Sequence, residues 1–204
     1  MGSLSENFSN QLIELIEEDP DYVRAKDIAL AVSEGEVFLI GGAVARRLFR
    51  VVYGDTKLND DYDFAITGEL SLLQAPNGIG SRINSYGNPK FFFRGHSGGE
   101  ITVDIIPLLR SFSQPPRNRF PPTIDNFLAT APIVFQGIAY DIRRKIVFGP
   151  GVQAVLDRDP RVGSLEELKS YADAKKVSAA ELWRVKTAFL GVNRPFSDYL
   201  SAVS

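Results

Sequence analysis

The segment Val37-Phe38-Leu39-Ile40-Gly41-Gly42 constrains this chain more than any other. Four consecutive apolar residues are too few for a helix and read as a buried strand, and the glycine pair stops it. Directly after the glycines, Ala43 to Tyr53 carries Val44, Leu48, Val51 and Val52 at helical spacing, with Arg46, Arg47 and Arg50 interleaved. Strand, glycine turn and helix in that order predict an α/β core.

The flanking segments extend that pattern. From Asn59 to Ile66, Tyr62, Phe64 and Ile66 alternate with Asp61, Asp63 and Ala65. Period-two alternation predicts a strand, with the two aspartates on one side and Tyr62 packing on the other. Lys90 to Arg94 and Ile101 to Ile106 are two further strand-like runs joined by the hairpin loop Gly95-His96-Ser97-Gly98-Gly99-Glu100. Asp104 lies inside the second run between Val103 and Ile105, and an aspartate in a strand core needs a reason. Ahead of the core, Phe8, Leu12, Leu15 and Ile16 predict a helix from about Asn7 to Glu18, ended by Asp19-Pro20, and a second follows from about Tyr22 to Ser33.

Three stretches lack this clarity. Gln74 to Pro89, rich in Gly, Asn and Ser, predicts a loop with no more than one helical turn. Pro107 to Pro122 contains five prolines with Arg110, Arg117 and Arg119, and predicts a long mobile loop. Ile133 to Tyr140 and Lys145 to Phe148 read as two strands with a hairpin connection over 141–144. Towards the C-terminus, Ser164 with Glu167 and Ser178 with Glu181 match capping boxes, the second opening a helix whose apolar face is Leu182, Val185, Phe189 and Leu190. We therefore expect an α/β (α+β) mixed sheet flanked by helices over residues 1–160, and a small helical, neck-like appendage over 161–204.

Composition narrows the chemistry. Among 204 residues there is no Cys and one His, so thiol catalysis, disulfides, Cys-bound zinc and multi-His metal sites are excluded. A Ser-His-Asp triad would have to use His96, which its glycine neighbours mark as an exposed loop tip. Trp183 and Phe91-Phe92-Phe93 read as core, with Phe92 facing outward if its strand is half exposed. Twenty-three basic against 25 acidic residues give a net charge of −2, which argues against bulk electrostatic capture of nucleic acid. No apolar run approaches 18 residues and the start is polar, so a cytoplasmic protein with no membrane partner is expected.

Hard chemistry is then left to carboxylates and backbone amides. Gly41-Gly42 opening a helix, Asp61 and Asp63 on one strand and Asp104 on a later one form a constellation suited to phosphoryl or nucleotidyl transfer. Mg2+ takes oxygen ligands and is usually held by one or two carboxylates plus substrate phosphates. Carboxylates two residues apart on a strand stand roughly 6 to 7 Å apart, which suits metals about 4 Å apart, and Asp104 could serve as third ligand or as base for a hydroxyl. Glycine amides and a helix N-terminus favour polyphosphate, and Arg46, one turn into that helix, could reach a phosphate.

Gly41-Gly42-Ala43-Val44-x-Arg46, then Asp61-Tyr62-Asp63-Phe64-Ala65, then Ile138-Ala139-Tyr140-Asp141 with Phe148-Gly149, resembles the head domain of tRNA CCA-adding enzymes and bacterial poly(A) polymerases. The resemblance runs from about Val37 to Gly151. It implies a nucleotidyltransferase-like mixed sheet, Mg2+ (or Mn2+) as cofactor, Gly41 and Gly42 on the triphosphate, and Asp61 and Asp63 on the metals. The gap between Gly42 and Asp61 is longer than in that family. Thr130-Ala131-Pro132 and Val134-Phe135-Gln136 stand where it carries nucleotide-holding arginines, and Val177-Ser178-Ala179-Ala180-Glu181 where it carries a base-selecting template. The helical body that grips tRNA in the family has no counterpart in these residues.

The expected function is transfer of a nucleoside monophosphate from a nucleoside triphosphate to a hydroxyl of an RNA end, a protein or a small molecule, with pyrophosphate leaving. The alternative is a catalytically inactive module that binds RNA or a protein partner through arginines 46, 47, 50, 110, 117, 119, 143 and 144, if these converge. A phosphate-handling hydrolase using the same carboxylates is a third reading.

Overall fold

Residues 6–58, 61–71, 78–192 and 194–200 are described by a computed structural model. Strand β1 (Val37–Ile40) is buried along its whole length because it lies inside a sheet, between β2 (Asp61–Ile66) and β6 (Ala139–Asp141). With β3 (Gly80–Ile83), β4 (Pro89–Arg94), β5 (Glu100–Pro107) and β7 (Ile146–Phe148), the order is β3-β4-β5-β2-β1-β6-β7. Only the β2–β5 pair is parallel, so the sheet is mixed, as the sequence predicts. Asn59 and Asp60, expected to start β2, lie outside the described residues.

Alternation along the strands sorts side chains into two layers. Val37, Leu39, Tyr62, Phe64, Phe91, Phe93, Ile101, Val103 and Ile105 form one large core with α1 (Glu6–Glu17), α2 (Pro20–Ala31) and α3 (Gly42–Tyr53). On the other face a smaller cluster joins Phe38, Ile40, Ala65 and Ala139 to Leu108 of α4 (Leu108–Ser111), Phe112, and Leu128 of α5 (Ile124–Ala129). Asp61 and Asp63 belong to this second face, beyond the apolar cluster, with Asp61 exposed and Asp63 half-buried.

A polar knot ties the helical layer to β2. Asp19 caps α2, its Oδ1 accepting from the backbone N–H of Asp21 at 3.0 Å and of Tyr22 at 3.3 Å. Its Oδ2 accepts from the Tyr62 hydroxyl at 2.7 Å and from the guanidinium of the fully buried Arg47. Arg47 also donates to Ala43 O at 3.0 Å and to Tyr62 Oη at 3.1 Å. Half burial works against ionisation of Asp19, but the bond from Tyr62 and the charge of Arg47 outweigh it and hold the carboxyl below its ordinary range.

Several expectations need correction. The stretch 74–89 contains β3 as well as turns, while 74–77 fall outside the described residues. Its exposed edge position removes the apolar alternation that would have marked it, and at Gly80 a Cβ would stand 2.0 Å from the Phe92 ring as it is placed. The proline-rich stretch 107–122 is no free loop: it holds α4 and a 3-10 turn at Arg117–Arg119. Arg117 anchors it, pairing with Glu167 at 3.0 Å, donating to Thr130 Oγ1 at 3.1 Å and to Ser111 Oγ at 3.0 Å, and lying 4.4 Å over the Phe127 ring. Ile133 to Tyr140 is not one strand. A 3-10 turn at Val134–Gln136 precedes β6, and at Gly137 a Cβ would stand 2.4 Å from Leu128 O.

Both N-caps form, with Ser164 Oγ accepting from Glu167 N–H ahead of α7 (Leu165–Lys175) and Ser178 Oγ from Glu181 N–H ahead of α8 (Ala179–Thr187), but the glutamate side chains pair with Arg117 and Arg184 instead of closing the expected capping boxes. Val185 is 51% exposed, contrary to expectation, because the buried stripe of α8 runs through Leu182, Trp183 and Thr187 and Val185 lies off it. Leu168, Ala172, Leu182, Trp183 and Leu190 join the large core, where the Trp183 indole donates to Pro160 O at 2.6 Å. Of the arginines, Arg47 is buried, Arg117 and Arg119 pair with Glu167 and Glu166, Arg144 with Glu36 and Arg50 with Asp55. Among the described residues no helix is long and apolar enough to cross a membrane.

Candidate active site

Register gathers the sequence candidates. Antiparallel pairing sets Ile40, the residue before Gly41-Gly42, beside Asp63, and parallel pairing sets Asp63 beside Asp104 and Asp61 beside Thr102. Beyond β5, Lys90 stands beside Asp104 and Arg82 beside Lys90. A single row across five strands therefore reads Arg82, Lys90, Asp104, Asp63, Ile40, and the chain turns through the glycines at its end.

Each member has defined partners. Gly41 has φ +68°, with nothing within 4 Å of a built Cβ, so the backbone conformation and not crowding calls for glycine. Its N–H already donates to Ile138 O at 3.0 Å. Gly42 opens the twelve-residue α3, whose N-terminus has no side-chain cap. Asp61 accepts a hydrogen bond from Thr102 Oγ1. Asp104 has both oxygens engaged, by Lys90 Nζ at 2.8 Å and by Asn84 Nδ2 at 2.7 Å. Arg46 donates to Lys57 O at 3.1 Å and lies 4.6 Å over the Phe189 ring, and it forms no ion pair with the three aspartates. His96 is exposed at the β4–β5 hairpin, as expected, its backbone N–H donating to Asp21 Oδ1 at 2.8 Å.

Electrostatics single out Asp63. Burial, then the negative charge of Asp104 and of Asp61, push its carboxyl up to about 6, against partial relief from Lys186 and Lys90. Lys90 is held above its ordinary value because pairing with Asp104 outweighs desolvation. The helices α7 and α8 lie within the same field: burial and the three aspartates raise Tyr171 to about 12, and Lys186 Nζ sits 5.6 Å from the Tyr171 ring.

Among the described residues no set of three or more carboxylate, imidazole or thiolate groups could hold a metal ion by itself. Asp61 and Asp63 nonetheless fit Mg2+ arriving with a polyphosphate. They offer two hard oxygen donors, and like-charge crowding at Asp63 is what a cation relieves. Two surface clefts, of 340 and 370 Å3, include no member of this row in their lining; the first is lined by Asp19 and Tyr62, the second by Gly80 and Phe92.

Among solved structures, a tRNA-processing enzyme with CTP aligns over 74% of this chain and 36% of its own, at 13% identity and a TM-score of 0.43. This chain thus spans little more than a third of that one. No protein-family model and no curated protein matches the sequence.

The sequence reading missed Lys90, Asn84, Tyr171 and Lys186. Lys90 was within reach, since alternation with Phe91 and Phe93 in the core places it on the face of Asp104 once β4 and β5 are paired. Tyr171 and Lys186 had no local signal, because only the packing of α7 and α8 brings them to the row.

Proposed function

We propose that this chain is a metal-dependent nucleotidyltransferase, moving a nucleoside monophosphate from a nucleoside triphosphate to an acceptor hydroxyl. The observation that carries this reading is the register row, in which Asp63 and Asp104, with Asp61 two residues along β2, lie next to the strand end that turns through Gly41-Gly42 into α3. The acceptor oxygen forms the new bond to the α-phosphorus, the bond to the β-phosphate bridge breaks, and pyrophosphate leaves with that electron pair. Asp61 and Asp63 would hold Mg2+ (or Mn2+), which when bound neutralises phosphate charge and lowers the pKa of a coordinated hydroxyl. The N-terminus of α3, at Gly42, supplies amide dipole to the triphosphate. Lys90 adds positive charge beside the carboxylates. Asp104 serves as third ligand or hydroxyl base when Lys90 or Asn84 yields one of its oxygens, and Arg46 reaches phosphate when it leaves Lys57 O. Residues 1–160 form the catalytic domain and 161–204 the helical segment beside the site.

A second reading, a non-catalytic module binding RNA or a protein, draws on one observation: Lys90 and Asn84 already satisfy Asp104. Calorimetric titration separates the two. The transferase reading expects saturable binding of a nucleoside triphosphate in Mg2+, lost in EDTA and in the Asp61→Asn, Asp63→Asn double variant. Metal-independent RNA binding with no triphosphate binding would favour the module.

A further inference from the structure

We infer that the aromatic base of the bound nucleotide stacks on the Tyr86–Tyr171 pair, so that any of the four nucleoside triphosphates is accepted with little preference. This rests on the nucleotidyltransferase reading and names the part of the site that holds the nucleoside.

The geometry ties that aromatic pair to the acidic row. Asn84 donates to Asp104 Oδ1 at 2.7 Å, and its own Oδ1 accepts from the backbone N–H of Tyr86 at 2.9 Å and of Asn88 at 3.0 Å. One side chain thus fixes the β3–β4 turn and the row together. Tyr86 on that turn is 45% exposed, and its ring centroid lies 6.1 Å from that of Tyr171 on α7, inclined at 59°. Two ammonium groups flank the Tyr171 member of the pair, Lys186 Nζ at 5.6 Å and Lys175 Nζ at 5.8 Å from its ring. A Cβ at Gly87 would meet Arg110 Nη2 at 2.5 Å, which places that guanidinium against the same turn. A half-exposed aromatic platform with flanking ammonium and guanidinium groups, beside carboxylates suited to a metal, matches the parts of a nucleoside triphosphate: base, phosphates and their counter-ion. Stacking is tolerant of base identity because every base presents a π-face.

The test compares inorganic tripolyphosphate with ATP, GTP, CTP and UTP, each in Mg2+, on wild type and on Tyr86→Ala, Tyr171→Leu and Tyr171→Phe. Stacking predicts that Tyr86→Ala and Tyr171→Leu weaken all four nucleotides by roughly fivefold to a hundredfold, leave tripolyphosphate within about twofold, and that Tyr171→Phe keeps wild-type binding. Tyr86 lies on a turn, so its variant decides the matter if Tyr171→Leu melts early. Equal losses for tripolyphosphate and nucleotides, no loss for either variant, or a wild-type preference above about tenfold for one base would overturn stacking. Wild type binding neither tripolyphosphate nor nucleotides would overturn the transferase reading itself.

Discussion

Asp63→Asn is expected to lower Mg2+-dependent nucleotidyl transfer by roughly a thousandfold or more, the rate equivalent of the several kcal/mol that metal neutralisation of phosphate charge supplies. The same substitution is expected to leave the metal-free protein folded and melting at a temperature no lower than wild type. Asp63 is half-buried beside Asp104 and two residues from Asp61, so its charge is a burden on the fold that Lys186 and Lys90 offset only in part. The amide keeps the shape and removes that repulsion. Rate and melting measured on one preparation therefore move in opposite senses. Parallel loss of both would mean that Asp63 is a structural residue.

The second large effect concerns stability. Arg47→Met should destabilise the chain by about 3 to 5 kcal/mol in urea unfolding at neutral pH, because it leaves the Asp19 carboxylate without its buried charge partner. Adding Asp19→Asn to Arg47→Met should recover much of that loss. Asn still caps α2, and no lone charge remains beside Tyr62. The pH dependence checks the cause. In wild type the Asp19 carboxyl is held below its ordinary range, so its contribution is present at neutral pH and is lost as pH falls through that lowered value. In Arg47→Met, protonation relieves an unpaired carboxylate, and acidification from pH 6 towards about 4 should stabilise the variant relative to wild type. Additive single and double effects would contradict the ion-pair account of the knot.

The contrast between these two aspartates shows what the sequence discloses. Tyr62 alternates with Asp61 and Asp63, and that alone placed the carboxylates opposite the core; the structure agrees, with Tyr62 2% exposed and locked to Arg47. The β1–turn–α3 unit was equally plain, since a four-residue apolar run ended by glycines leaves few alternatives. The buried role of Arg47 was not legible: in sequence it is one of three arginines on a helix, and only tertiary packing distinguishes it from exposed Arg50. Asp104 was recognised as anomalous, but its partners lie on β4 and in the β3–β4 turn, and β3 carried no alternation to announce itself. Arg117 shows the same limit, because a proline-rich composition hides an anchor that depends on Glu167, fifty residues on.

Asp61, Asp63 and the glycine turn are proposed to support displacement at the α-phosphorus. The most direct measurement incubates the protein with triphosphates labelled at either the α- or the γ-phosphate, with Mg2+ and with RNA, the protein itself or small hydroxylated compounds as acceptors. Stable label on an acceptor from the α-position, none from the γ-position and stoichiometric release of pyrophosphate are expected, and EDTA should abolish both the acceptor label and the pyrophosphate. Label transferred from the γ-position, or phosphate released with no acceptor labelled, would contradict displacement at the α-phosphorus.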